Sequence, residues 1–179
     1  MSQNDIKAAL AAATDFLKKH PADARYTDSP ATAQLAGTDG LRVHVTGPDG
    51  AQITTDMPSS VGGTNSAPSA GWLLRAAEAS CVATLIAMRA AHEGVAFRDL
   101  EVTVDSQSDD YGILGISDDV PAGPLHTRVR VKVIEMRVDD RDDMVWETIV
   151  NWALEHCPVT DAVRRAVPMT VEIATDEES

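Results

Sequence analysis

The feature that most constrains this chain is a long, almost continuously apolar stretch over residues 69–92. No charged residue stands between Glu78 and Arg89, and Gly94 follows as a helix terminator. Apolar side chains recur at spacings of three and four, the period of one helix face: Leu74, Ala77, Cys81, Leu85 and Met88. A helix this apolar is normally buried through its middle, so we expect that face in the core. Residues 61–70, rich in glycine and serine, predict a flexible, turn-rich approach to the helix.

Short alternating segments predict strands on both sides of this helix. Residues 31–36, 41–46 and 51–56 are separated by GTDG and GPDG, and Asp-Gly turns between alternating segments indicate hairpins. Residues 97–108 and 125–138 also alternate, with Arg and Lys opposite Val in the second segment. This pattern is typical of an antiparallel sheet with one solvated face.

The remaining segments complete an α+β order. Residues 5–20 predict an amphipathic helix, and residues 21–30 a linker. A second main helix is expected over 139–156, followed by a short helix through 158–165 and a final strand over 168–174. The fold class is therefore α+β, with two main helices packed on a mostly antiparallel sheet.

Charge and composition exclude several function classes. The formal net charge is −13, which disfavours a nucleic-acid partner and an anionic membrane surface. Five scattered histidines show no metal-ligand spacing, so we expect neither a metal nor a cofactor. The sequence has no run of apolar, uncharged residues long enough to cross a membrane and no signal peptide. We expect a cytoplasmic protein, where paired thiols are more often catalytic or redox-sensing than structural.

The two cysteines of the chain are the first candidates for chemistry. Cys157 stands before Pro158 at a predicted helix start, where the helix dipole favours a thiolate. Cys81 lies mid-helix in an apolar setting, which raises a thiol pKa unless a cation reaches it. Arg42 is the candidate cation. The alternative is that both cysteines are small, buried, unreactive residues.

Two motifs give the chain a family resemblance. GGTNSAP precedes the apolar helix with its mid-helix cysteine, and the second main helix ends in CPVTDAVRR. Together, and in this order, they resemble the OsmC/Ohr family of thiol peroxidases, over residues 31–174. The resemblance implies a domain over residues 31–179, preceded by an extra N-terminal helix and linker over residues 1–30.

That family has an intertwined α+β homodimer with active sites near the subunit boundary, and it reduces organic hydroperoxides. The resemblance implies that Cys81 attacks the hydroperoxide and becomes a sulfenic acid, which Cys157 resolves to a disulfide. A dithiol reductant, of the dihydrolipoyl type, would then reduce the disulfide. Arg42 would hold the Cys81 thiolate ionised.

One position departs from the family pattern. The peroxidases carry a glutamate ten residues before the first cysteine to orient the arginine, and this chain has Gly71 there. Glu78, one helical turn before Cys81, is the candidate replacement. The departure leaves two alternatives open: a non-catalytic OsmC-like protein that binds a small apolar ligand at the dimer interface, or a structural domain with inert thiols.

Overall fold

The computed structural model describes residues 2–37, 40–137 and 144–174. Five helices and five strands lie within them, in the order α1 Gln3–Lys19, β1 Thr32–Leu35, β2 Val43–Thr46, β3 Gln52–Thr55, α2 Ala70–Glu93, β4 Ala96–Gln107, α3 Asp110–Ile113, β5 His126–Arg137, α4 Met144–His156 and α5 Pro158–Arg164. Short 3-10 turns cover Pro21–Ala24, Pro48–Gly50 and Ser59–Val61. The α+β prediction is confirmed.

The first three strands form an antiparallel sheet of order β1-β2-β3. The predicted hairpins are confirmed, and the β2–β3 turn uses Asp49 and Gly50 at φ values of 54° and 76°, conformations that asparagine, aspartate and glycine tolerate best. Within the described residues no helix packs extensively on this sheet. Its apolar side chains are consequently open to solvent: Leu35 is 63% exposed and Ile53 48% exposed.

The core of the protomer forms where α2 packs against β4 and α4. β4 and β5 pair antiparallel with Val102 opposite Val131, and their inner valines cover α2, as the alternating pattern predicted. On the solvated face Asp105 forms ion pairs with Arg128 and Arg130. The largest fully buried apolar side chains belong to the two main helices: Ile86, Ile149 and Val82.

The buried face of α2 differs from the predicted one. The helix runs as expected from its N-cap Ser69 to Gly94, which ends it at φ 69°. However, the buried positions are Glu78, Val82, Ile86, Ala90 and Ala91. The predicted stripe lies beside this face, with Leu74 38% exposed and Cys81 half-buried. The buried face carries a carboxylate, so a search for uninterrupted apolar spacing selects the neighbouring stripe.

Helix α2 is also, in the described part of the chain, the one helix whose length and composition would suit a membrane span. A core helix passes the same test. Here α2 packs against β4, α4 and α1. Gln3 of α1 donates a hydrogen bond of 3.1 Å to the carbonyl of Val95, which follows α2.

The predicted strand over residues 168–174 is wrong. This segment has no regular structure, and no strand in the described part of the chain pairs with it. A strand needs a hydrogen-bonding neighbour, and alternation alone does not supply one. Its apolar side chains are open to solvent, with Met169 86%, Val171 70% and Ile173 85% exposed. The start of the second main helix, residues 139–143, lies outside the described residues; α4 is described from Met144.

Candidate active site

The fold brings Cys81 and Cys157 together. Cys81 lies midway along α2, and Cys157 lies at the break between α4 and α5, which both pack on α2. Both are free thiols, and they lie close enough together for each to shift the pKa of the other. Cys81 is half-buried, whereas Cys157 is 0% exposed. Cys81 is therefore the more accessible of the two thiols.

Cys157 occupies the N-cap of α5, as predicted. Pro158 starts the helix, and the Thr160 backbone N–H donates to Cys157 Sγ at 3.4 Å. Burial opposes ionisation of this thiol, but hydrogen bonds from Cys81, Thr160 and the Val159 backbone outweigh burial and lower the pKa of Cys157. The thiol with the lowered pKa is therefore the fully buried one.

For the pKa of Cys81 the balance between burial and hydrogen bonding is the opposite. Burial and the hydrogen bond with Cys157 raise the pKa of Cys81, and the Val159 backbone N–H offsets this only in part. Because the two thiols interact directly, their titration belongs to the pair. In the protomer the first negative charge therefore sits mainly on Cys157, and Cys81 gives the proton that stabilises it.

Glu78 joins this site through a residue that the sequence analysis did not select. Glu78 is 3% exposed, and its Oε1 accepts a hydrogen bond of 3.2 Å from the hydroxyl of Thr160, also 3% exposed. Thr160 therefore contacts both Glu78 and Cys157. The only sequence signal was its place three residues after a cysteine N-cap, at the position whose backbone N–H a cap accepts.

The arginines lie elsewhere in the protomer. Arg42, just before β2, is exposed, and its carbonyl accepts from the Ala36 N–H at 2.8 Å. Arg75 donates to Ser106 at 3.1 Å, and Arg89 pairs with Glu93 at 2.7 Å. Across residues 2–37, 40–137 and 144–174, no hydrogen bond or ion pair joins an arginine to either cysteine or to Glu78.

The position of the family glutamate has room for a side chain. Gly71 lies in the first turn of α2, and a Cβ built on it would meet Ser69 Oγ at 3.8 Å and Arg75 Nη1 at 4.0 Å. Both are ordinary contact distances. A carboxylate placed there would lie beside the Arg75 guanidinium.

A second buried carboxylate organises the segment before α2. Asp56 is 2% exposed and accepts hydrogen bonds from Met57, Thr64 and Ser66, which hold its pKa well below the usual range. A Cβ on Gly63 would come within 1.8 Å of the Met57 carbonyl, so glycine is required there. The segment over 61–70 is turn-rich as expected, and hydrogen bonds from Thr64 and Ser66 tie it to this carboxylate.

A cleft of about 250 Å³ lies between α1, α2 and α4, and its lining contains neither cysteine. It is lined by Leu10, Thr14, Met88, Arg89, His92 and Trp152. The described residues contain no cluster of three or more His, Cys, Asp or Glu side chains that could hold a metal ion.

A comparison with protein families identifies the family of this chain. The family model described as OsmC-like protein matches residues 63–172, which include both cysteines, Glu78 and Thr160. No curated protein matches the chain.

Solved structures share the fold. An organic hydroperoxide resistance protein OsmC from Legionella pneumophila is 21% identical with TM-score 0.55, covering 78% of this chain and 90% of that one. An organic hydroperoxide resistance protein from Elizabethkingia anophelis, with thiocyanate bound, is 15% identical with TM-score 0.59, covering 78% and 90%. An OsmC-like protein from Mycoplasma pneumoniae is 13% identical with TM-score 0.63, covering 78% and 89%.

Proposed function

The chain belongs to the OsmC-like protein family, and on that basis, together with its paired thiols, we propose that it is a thiol-dependent peroxidase that reduces organic hydroperoxides. The observation that carries the proposal is the direct interaction between Cys81 and Cys157, two thiols that the fold brings together from helices far apart in sequence. Solved structures with the same fold include organic hydroperoxide resistance proteins.

The proposed reaction has three steps. The Cys81 thiolate, the more accessible sulfur, attacks the outer peroxide oxygen; the O–O bond breaks, an alcohol leaves and Cys81 becomes a sulfenic acid. Cys157 then attacks the Cys81 sulfur, releasing water and forming the disulfide. A dithiol reductant, of the lipoyl type, restores both thiols by exchange. This chemistry suits the cytoplasmic location that we also propose.

We further propose that the protein acts as a homodimer whose second copy supplies Arg42. Arg42 is exposed just before β2, the central strand of the β1–β3 sheet, which no helix covers extensively within the described residues. The 168–174 segment also leaves its apolar side chains in solvent. A second copy that covers these surfaces would bring foreign side chains towards the half-buried Cys81. Light scattering that gives a monomer at micromolar concentration would contradict the dimer.

Thiol counting tests the function. Reduced protein treated with an excess of an alkyl hydroperoxide should lose both free thiols, and a disulfide-reducing dithiol should restore them. Cys157→Ser should accumulate sulfenic acid at Cys81, whereas Cys81→Ser should leave Cys157 as an unreacted thiol because it is sealed. Survival of both thiols in the wild type would refute the peroxidase, and oxidation of Cys157 in Cys81→Ser would reverse the assigned order.

The alternative is a non-catalytic protein that binds a small apolar ligand at the dimer interface. Gly71 in place of the glutamate and the raised pKa of Cys81 in the protomer favour it. The pH dependence of Cys81 alkylation separates the two functions. A peroxidase requires a thiolate well below the free cysteine value of about 8.5, whereas a ligand-binding protein requires none.

A further inference from the structure

Glu78 and Thr160 form a buried link between α2 and α5. The Thr160 hydroxyl donates to Glu78 Oε1 at 3.2 Å, and both residues are 3% exposed. Apart from the thiol pair, no other hydrogen bond between side chains joins α5 to α2 within the described residues. The proposed mechanism gives this bond no role, although a buried polar group is costly to leave without a partner.

Few other contacts hold α5 in place. Thr160 is the one buried residue of the helix Pro158–Arg164. Val159 packs at the margin of the core, whereas Val163 is 40% exposed. A helix of seven residues is too short to be stable by itself, so its position depends on its contacts with the rest of the protein. The buried hydrogen bond to Glu78 is one of those few contacts.

The two cysteines lie beside this hydrogen bond, at the same spacing on both helices. Cys81 follows Glu78 by three residues on α2, and Thr160 follows Cys157 by three residues at the start of α5. Residues three apart are neighbours on one helix face, and the Thr160 backbone N–H donates to Cys157 Sγ at 3.4 Å. The helices therefore meet through two adjacent contacts, one between the thiols and one between carboxyl and hydroxyl.

We propose that Glu78 is a positioning residue for the resolving cysteine, because its hydrogen bond with Thr160 sets the register of α5 on α2 that holds Cys157 against Cys81. This role rests on the proposed peroxidase function, in which the two thiols form a disulfide. A disulfide usually needs Cα atoms about 4.4–6.8 Å apart, and a slip of one residue moves a helix by about 1.5 Å along its axis. A small displacement of α5 therefore weakens the pairing of the thiols.

A redox equilibrium measures this positioning. The protein is equilibrated with mixtures of reduced and oxidised dithiothreitol and quenched with an alkylating reagent, and mass spectrometry gives the fraction of Cys81–Cys157 disulfide. In this exchange the two protein thiols lose two protons and two electrons and form their S–S bond, while the S–S bond of oxidised dithiothreitol breaks to give two thiols. The equilibrium constant reports how closely the fold holds one thiol against the other.

Loss of the hydrogen bond should weaken the disulfide. Thr160→Val removes the hydroxyl but keeps the backbone N–H and the shape of the side chain, and Glu78→Asp withdraws the carboxyl by one methylene. In both variants we expect the equilibrium constant to fall about tenfold, the factor that a buried hydrogen bond contributes. Thr160→Ser keeps the donor and should stay within about threefold of the wild type.

A core substitution provides the matched control. Ile149→Val on α4 lowers folding stability but leaves the Glu78–Thr160 contact intact, so the equilibrium constant should not change. An equal fall in Ile149→Val or in Thr160→Ser would overturn the positioning role, and so would a wild-type constant in Thr160→Val. If Thr160→Val does not fold, Glu78→Asp decides, and a wild-type constant in that variant would overturn the role.

The two assays separate failure of this role from failure of the proposed function. Dithiothreitol replaces the hydroperoxide in the equilibrium, so a wild type that consumes no hydroperoxide refutes the peroxidase while the constant still tests Glu78. In a single turnover with one equivalent of cumene hydroperoxide, Thr160→Val and Glu78→Asp should slow disulfide formation about tenfold more than hydroperoxide loss. An effect of Glu78→Asp confined to hydroperoxide loss would place Glu78 at the Cys81 step and overturn the role.

Discussion

The hydrogen bond between Glu78 and Thr160 should appear as an energetic coupling in folding stability. Thr160→Val removes the donor and leaves a carboxyl that is 3% exposed without this partner, which costs about 1–3 kcal/mol. Glu78→Leu leaves the Thr160 hydroxyl unpaired, at a cost of similar size. The double variant leaves neither group unsatisfied. Its destabilisation should therefore fall below the sum of the single values by about 1–3 kcal/mol.

Equilibrium unfolding in urea, followed by tryptophan fluorescence, gives the four free energies of unfolding by linear extrapolation. All proteins are compared at one protein concentration, since a dimer's stability depends on concentration. Thr148→Val is the matched control, because this exposed threonine bonds only the Met144 carbonyl of its own helix in the described residues, and its effect should stay within about 0.5 kcal/mol. Additivity of the two single variants within about 0.5 kcal/mol would refute the reasoning.

Three further variants test the site and its surroundings. The folded-state pKa of Asp56 is depressed, so its stabilisation is present above the unfolded value of about 3.9 and is lost as pH falls through the folded pKa; Asp56→Asn should lower Tm at neutral pH and flatten the acid limb of Tm against pH. Gly71→Glu should raise the free energy of unfolding by about 1 kcal/mol through helix propensity and pairing with Arg75, and Gly71→Gln should give only the propensity part. Arg42→Ala should raise the Cys81 pKa, read from alkylation against pH, and an unchanged value would remove Arg42 from the site.

Features fixed by local interactions were predictable from the sequence. Gly94 ends α2 because glycine adopts the left-handed conformation that the helix terminus needs. Cys157 and Pro158 form a helix start because both residues act within one turn. The turn at Asp49 and Gly50 follows from the same kind of preference. Each of these depends on at most four neighbouring residues.

Features that depend on a distant partner could not be predicted from the sequence. The buried face of α2 includes Glu78, whose hydrogen-bonding partner Thr160 lies 82 positions away, so no local rule could count this carboxylate as a core residue. The alternation of residues 168–174 is real, but among the described residues no strand pairs with it. Thr160 itself was visible only by its place three residues after the Cys157 N-cap. Its role depends on the packing of α5 against α2.

A peroxidatic cysteine needs both an accessible sulfur and a lowered thiol pKa, and in this protomer each cysteine has one of the two properties. Cys81 is the accessible sulfur but has the raised pKa, and Cys157 has the lowered pKa but is sealed. A unit charge ~5 Å from Cys81 at an effective dielectric constant of ~20 stabilises its thiolate by about 3 kcal/mol. That corresponds to about two pKa units in favour of the Cys81 thiolate.

Within the described residues no arginine pairs with either cysteine, so such a cation has to come from another molecule. The exposed Arg42 of a second copy is the candidate. The Cys81 pKa should therefore fall as protein concentration is raised through the dimer dissociation constant, measured by alkylation rate against pH. The Arg42→Ala protein should dimerise normally but show no such fall, because its surfaces are kept and its charge is lost. A Cys81 pKa that stays constant while sedimentation shows the dimer forming would mean that the second copy brings no cation to this thiol.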